Sequence, residues 1–193
     1  GLAINKIFLK FNNDFWSSTS GETFFQATTG GTPETRGKFP VFINGKKVFG
    51  ANALLGFALG KYGKDMESKT NEEIKKDSMD SLKRLFPNAE EPTQYVISRW
   101  SSDPLSGGSY SFFAVNTKPQ DFYTLGSPIK ESIYFAGEHT IREYKASVHG
   151  AYISGKRAAA NITNFFNKKN FSSMIHYSAC AVALLILFLF TYL

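Results

Sequence analysis

Ile133-Tyr134-Phe135-Ala136-Gly137-Glu138-His139-Thr140, a short loop, and then Ser147-Val148-His149-Gly150-Ala151-Tyr152 form the stretch that decides the fold. Ile133 to Ala136 is an apolar run of strand length, and Gly137 closes it. From Ser147 to Phe166 the pattern is helical, with Val148, Tyr152, Ala159, Ile162 and Phe166 on broadly one face. A strand that turns into a helix has a chemical use. The first helical turn offers unpaired amide hydrogens and the positive end of the macrodipole. An anionic or electron-rich part of a cofactor can rest there. Gly137 lets a backbone approach closely, and Gly150 and Gly155 leave one side of the helix bare. Packing alone also accounts for such a unit.

Upstream, the pattern is mostly extended. Ile7, Leu9 and Phe11 alternate with Phe8 and Lys10 and predict a strand, and Glu22–Thr28 predicts a second. Phe39–Phe49 reads as a hairpin with Asn44-Gly45 at its tip, and Ala53–Leu59 as a buried strand. Thr70-Asn71-Glu72-Glu73 is a capping box, with Ile74, Met79, Leu82, Leu85 and Phe86 behind it at helical spacing until Pro87. Thr93–Trp100 and Tyr110–Val115 are strand-like around a Gly-containing loop. The mixture predicts α+β or α/β with a mixed sheet.

The 193 residues are 42% hydrophobic and 20% charged, which excludes a disordered chain. The net charge of +6 is spread, with no basic run longer than two residues, so the pattern is not that of a nucleic-acid binder. A single cysteine, Cys180, excludes an internal disulfide framework and a cysteine-based zinc site. His139 and His149 stand ten positions apart with no acidic or Cys partner at a ligand spacing, and no metal site is assigned. Met174–Leu193 contains no Asp, Glu, Lys or Arg. As a helix it would be about 30 Å long, enough for a single-pass C-terminal membrane span. A cleaved lipid-anchor signal at the cell surface fits the same composition. The chain begins within its first strand, so it is expected to be the later part of a longer one.

Trp100 and Tyr110 flank the Gly-containing loop. Such aromatics can wall a flat ring or hold an alkylammonium, or they can be ordinary core residues.

Tyr134–Arg142 followed by Ala146–Gly155 resembles the C-terminal signature of the flavin-containing amine oxidases. Ser98-Arg99-Trp100 with Gly108-Ser109-Tyr110-Ser111 is similar to the preceding motif of that family, and Ile4-Asn5-Lys6-Ile7 with Phe15-Trp16 resembles its substrate-domain strand. The order is kept from about Gly1 to Phe166, nearest in flavour to polyamine oxidases and lysine-specific histone demethylases. The resemblance implies a two-domain flavoenzyme. Residues 1–118 would be the last part of a mixed-sheet substrate domain and 119–168 the closing strand and helix of a Rossmann-like FAD domain, with 174–193 as the membrane or anchor helix. It implies FAD beside Gly137 and Glu138, with Ser147 and Val148 at the helix start facing the flavin's pyrimidine edge. Trp100 and Tyr110 would wall the space in front of the ring, and no catalytic residue is assigned.

The implied reaction is oxidation of a C–N bond of a polyamine-like amine to an imine, with oxygen reduced to hydrogen peroxide. The family's G-x-G-x-x-G fingerprint is not in this chain, Lys145 replaces a common Pro, and Leu105 stands where the demethylases tend to have a second Trp. The competing expectation is a truncated, catalytically inactive, membrane-anchored interaction domain.

Overall fold

In the computed structural model, alternation along β1 (Asn5–Lys10) buries Asn5, Ile7 and Leu9 and leaves Lys6 and Lys10 exposed. The structure describes residues 4–168 apart from 20, 28–31, 33 and 131. They divide into two units, one up to Phe112 and one from Phe113 onward.

In the first unit β1 is joined by β2 (Phe24–Gln26), β3 (Val41–Asn44), β4 (Ala53–Ala58) and β5 (Gln94–Ile97) in the order β2-β3-β4-β1-β5. Every neighbouring pair is antiparallel, which corrects the expected mixed sheet. The reason lies in the connections. β4 leads through α2 (Gly60–Asp65), a 3-10 turn (Met66–Ser68) and α3 (Asn71–Leu85) to β5. That crossover sets β4 and β5 in the same direction, but β1 lies between them and runs against both.

The register places Phe25, Phe42, Gly56, Ile7 and Ile97 in one row across the packed face. Gly56 is there because a Cβ would come within 2.8 Å of the Phe42 ring and 3.1 Å of Phe39 and Ile7. Ile74, Met79 and Leu82 of α3 complete this core. On the other face the same register aligns Phe24, Ile43, Leu55, Phe8 and Val96, with Phe24 and Val96 exposed.

The expected hairpin at 39–49 is instead β3 followed by α1 (Gly45–Phe49). Asn44 caps this helix by accepting the Lys47 amide at 3.3 Å, and Gly50 ends it at φ 74°. An Asn-Gly pair suits a hairpin tip and a helix start alike, and the cap prevails here. The capping box of α3 forms as expected: Thr70 Oγ1 accepts the Glu73 amide at 3.3 Å and the Thr70 amide reaches Glu73 Oε2 at 2.8 Å. Thr70→Ala is expected to lower the unfolding free energy by about 1 kcal/mol, read as a lower urea midpoint at unchanged slope.

The second unit holds α4 (Pro119–Leu125), a 3-10 turn (Glu138–Thr140) and α5 (Val148–Lys168). Two expected strands do not form. Residues 111–114, where the first unit ends and the second begins, carry no regular structure, and Phe112, Phe113 and Val115 are all exposed, so their alternation does not separate a buried from an exposed face. At 133–136 the one pairing among the described residues is the isolated bridge of Ile133 with Ile129, and a single bridge does not extend into a strand. Ile129, Ile133, Phe135, Val148, Tyr152 and Ile153 are exposed, while Phe122 and Ala158 are buried.

The span expected at Met174–Leu193 lies outside the described residues. Among the described residues no helix is long and apolar enough to cross a membrane.

Candidate functional site

The start of α5 is built from local bonds. Ser147 Oγ accepts the Gly150 amide at 3.1 Å and donates to the Tyr144 carbonyl at 2.5 Å. This capping leaves the Val148 and His149 amides with no intrahelical acceptor. The Val148 side chain is 88% exposed.

Gly137 adopts φ 137°, a conformation that side chains rarely take, and a Cβ there would meet the His139 ring at 2.5 Å. Its amide donates to Ser154 Oγ on α5 at 2.8 Å, and its carbonyl accepts the Thr140 amide at 3.0 Å. Glu138 Oε2 accepts the Ala146 amide at 2.6 Å, so this carboxylate ties the turn to the loop entering α5. Arg157 locks the arrangement from within α5, donating to the Thr140 carbonyl at 2.7 Å, Thr140 Oγ1 at 2.8 Å and the Phe135 carbonyl at 3.2 Å. Gly137, Glu138, Ser147 and Val148 thus belong to one hydrogen-bonded turn-helix unit. His149 packs edge-on against Tyr144, with ring centroids 4.9 Å apart. The first-turn amides stand at the positive end of the helix, a position that favours negative charge.

Trp100 and Tyr110 lie in the first unit, at the two ends of the loop that follows β5. Both are half-buried. The Gly108 amide donates to the Trp100 carbonyl at 3.0 Å and closes the loop on itself. Asp103 organises its tip, accepting the Leu105 amide on Oδ1 at 2.9 Å and the Ser106 hydroxyl on Oδ2 at 2.9 Å. The Ser109 hydroxyl accepts the Ile4 amide at 3.0 Å, which anchors the far end to the entry of β1.

Reading the sequence missed the residues that hold this loop. Arg99 donates to the carbonyls of Glu67 (2.8 Å) and Lys69 (2.9 Å) and to Asn71 Oδ1 (2.8 Å). Asn5 accepts the Trp100 amide at 3.1 Å, and Glu67 accepts the Ser101 amide at 2.9 Å and the Ser102 amide at 2.6 Å. Burial opposes the Glu67 charge, but bonds from the Ser102 hydroxyl, the Asn5 amide and the two backbone amides outweigh it and hold the carboxyl down to about 2. Nothing local in the sequence signals these partners.

The family model described as flavin containing amine oxidoreductase matches residues 1–163. The chain is 38% identical over 155 residues to polyamine oxidase 4 of Oryza sativa subsp. japonica, covering 80% of this chain and 30% of that protein. It is 34% identical over 175 residues to a possible lysine-specific histone demethylase 1 of Drosophila melanogaster, covering 84% of this chain and 19% of that protein. The chain therefore spans less than a third of either relative. Among solved structures it resembles a wild-type putrescine oxidase bound to putrescine, with TM-score 0.67, 24% identity, and coverage of 85% of this chain and 35% of the other. The cyclohexylamine oxidase of Brevibacterium oxydans shares the fold at TM-score 0.67, 18% identity and the same coverage. With the family model covering most of its length, the chain belongs to the flavin-containing amine oxidoreductases, whose cofactor is FAD.

Proposed function

We propose that the chain is the C-terminal part of an FAD-dependent amine oxidase acting on polyamine-like substrates. Residues 1–118 would belong to its substrate domain and 119–168 to its FAD domain. One observation carries the reading: the turn-helix unit from Gly137 to Val148 sets the start of α5, capped by the Ser147 hydroxyl, beside the Gly137 turn, in a chain 38% identical to a polyamine oxidase.

When bound, FAD supplies the two-electron oxidation of a C–N bond to an imine and the reduction of oxygen to hydrogen peroxide. The chain's own residues have supporting tasks. The Val148 and His149 amides would donate toward the electron-rich edge of the ring, where a helix N-terminus favours negative charge. Ser147 keeps those amides free by capping the helix through Gly150 instead. Gly137 and Glu138 would lie by the phosphate and ribityl region. Trp100 and Tyr110 would wall the substrate space, excluding water from the uncharged reacting amine and holding another, charged amine of the chain against their ring faces. The exposed apolar residues of the second unit make a surface that calls for cover. The remainder of a flavin domain would provide it.

The full-length product of the transcript is expected to show a flavin absorbance band and to release peroxide with putrescine or longer polyamines. Trp100→Ala and Tyr110→Ala are each expected to lower kcat/KM by about 2- to 30-fold, the equivalent of roughly 0.5–2 kcal/mol per aromatic contact. Unchanged kinetics would remove the aromatic wall. Activity on methylated lysine peptides in place of free polyamines would move the assignment to the demethylases, and a product without flavin would favour the inactive interaction domain. Attachment to a membrane through residues 174–193, as a span or by a lipid anchor, is part of the same proposal and rests on composition.

A further inference from the structure

Three consecutive backbone amides, those of Trp100, Ser101 and Ser102, all donate into one pair of side chains. The Trp100 amide reaches Asn5 Oδ1 at 3.1 Å, the Ser101 amide Glu67 Oε1 at 2.9 Å and the Ser102 amide Glu67 Oε2 at 2.6 Å. Asn5 is fully buried and spends both ends of its amide group. Its Nδ2 donates to Glu67 Oε1 at 2.6 Å and to the Gly63 carbonyl at 2.8 Å, while Oδ1 also accepts the Ser98 hydroxyl at 3.1 Å. The Ser102 hydroxyl closes on the second Glu67 oxygen.

We propose that Asn5 and Glu67 are positioning residues for Trp100, a clamp that fixes the backbone from which the indole projects. This rests on the reading of Trp100 as part of the substrate wall. The arrangement has the logic of such a device. Successive amides converging on a carboxylate form an anion-binding concavity, and here the anion is the protein's own side chain. Arg99 grips the Met66 and Glu67 carbonyls of the same 3-10 turn and the Lys69 carbonyl just after it, so residues 99–102 are held through both their backbone and a side chain. Leu105, farther along the loop, is 84% exposed, and the tip there is held by Asp103 within the loop itself. The clamp ties β1 and the turn after α2 to the exit of β5, which gives Trp100 one backbone position relative to the sheet.

The test uses the full chain carrying 5-fluorotryptophan, whose two tryptophans give separate fluorine signals, assigned through Trp100→Phe. Trp16 sits in the core and reports the fold. Asn5→Asp sets a second carboxylate against Glu67, and Glu67→Ala empties the concavity. Each is expected to shift or broaden the Trp100 signal and leave that of Trp16 in place. In the double variant Asn5→Asp/Glu67→Gln the Gly63 carbonyl loses its donor and the glutamine NH2 meets the Ser101 amide, so the Trp100 signal is expected to stay displaced, with that of Trp16 unmoved. A Trp100 signal unmoved in both single variants would overturn the proposal. So would joint collapse of both signals in all three variants, which would mean that the pair serves stability alone. In the full-length enzyme Glu67→Ala is expected to lower amine kcat/KM about tenfold with the flavin band retained. If Trp100→Ala leaves kinetics unchanged while the fluorine signal still responds to the clamp, the wall reading fails and the clamp stands.

Discussion

Gly150→Ala is expected to destabilise the second unit by about 1–3 kcal/mol, although alanine is the better helix former. Propensity alone would favour the substitution by about 1 kcal/mol in a helix interior. Geometry reverses the sign. A Cβ on Gly150 would lie 2.0 Å from the Tyr144 carbonyl oxygen and 2.8 Å from its carbon. These are backbone atoms, and the oxygen is already held by the Ser147 hydroxyl, so no side-chain rotation relieves the clash. The loop before α5 must move, and with it the Ser147 cap. Gly155→Ala on the same helix meets nothing within 4 Å and is expected to be neutral or stabilising by up to about 1 kcal/mol. Hydrogen exchange of the amides of residues 150 and 151, which Ser147 accepts, separates the two: protection changes in Gly150→Ala and stays in Gly155→Ala. In the full-length enzyme the first variant is expected to lose its flavin absorbance and the second to keep it. Equal behaviour of the two would contradict the packing described for Tyr144.

Trp16→Ala is expected to cost the first unit about 3–5 kcal/mol, a large share of the stability of a small domain. The indole is fully buried and packs edge-on against Phe11, with centroids 5.7 Å apart, and Phe15, at 4.8 Å. Its Nε1–H donates to Asn44 Oδ1 at 3.0 Å. Alanine therefore opens a cavity and takes away a donor from a buried oxygen. Trp16→Phe keeps most of the volume and removes the donor, and is expected to cost about 1–3 kcal/mol. Urea unfolding followed by far-UV circular dichroism gives both values. A loss below about 1 kcal/mol for the alanine variant would mean that the aromatic cluster is not the keystone of this core.

What the sequence made legible was local in origin. β1 and β4 show their faces by composition over six residues each, and α3 announces itself by the reciprocal pair Thr70 and Glu73. The Gly137 turn and the Ser147 helix start were readable for the same reason. α2 was not: two of its six residues are glycine, and tertiary bonds support it, among them Tyr62 to Asp77 at 2.7 Å. α1 was hidden by the double meaning of Asn44-Gly45. The clamp behind Trp100 was illegible altogether, since Asn5 lies 62 residues from Glu67 and 95 from Trp100. Polar pairs at such separations leave no period and no spacing to read. The expected mixed sheet failed on the same ground, because strand direction is set by which strand inserts between β4 and β5.

Asn44 has a chemical consequence apart from stability. An asparagine followed by glycine ordinarily ages by attack of the glycine nitrogen on the side-chain carbonyl, forming a succinimide that opens to aspartate or isoaspartate. In this fold Oδ1 is engaged by Trp16 and the Lys47 amide, Nδ2 by the Glu22 carbonyl at 2.9 Å, and Gly45 already belongs to a helix. The ring-closing approach is barred while the core is intact. Deamidation at Asn44 therefore serves as an internal clock of how long each molecule has spent unfolded, and stored protein that stays native should show none of it by peptide mass mapping.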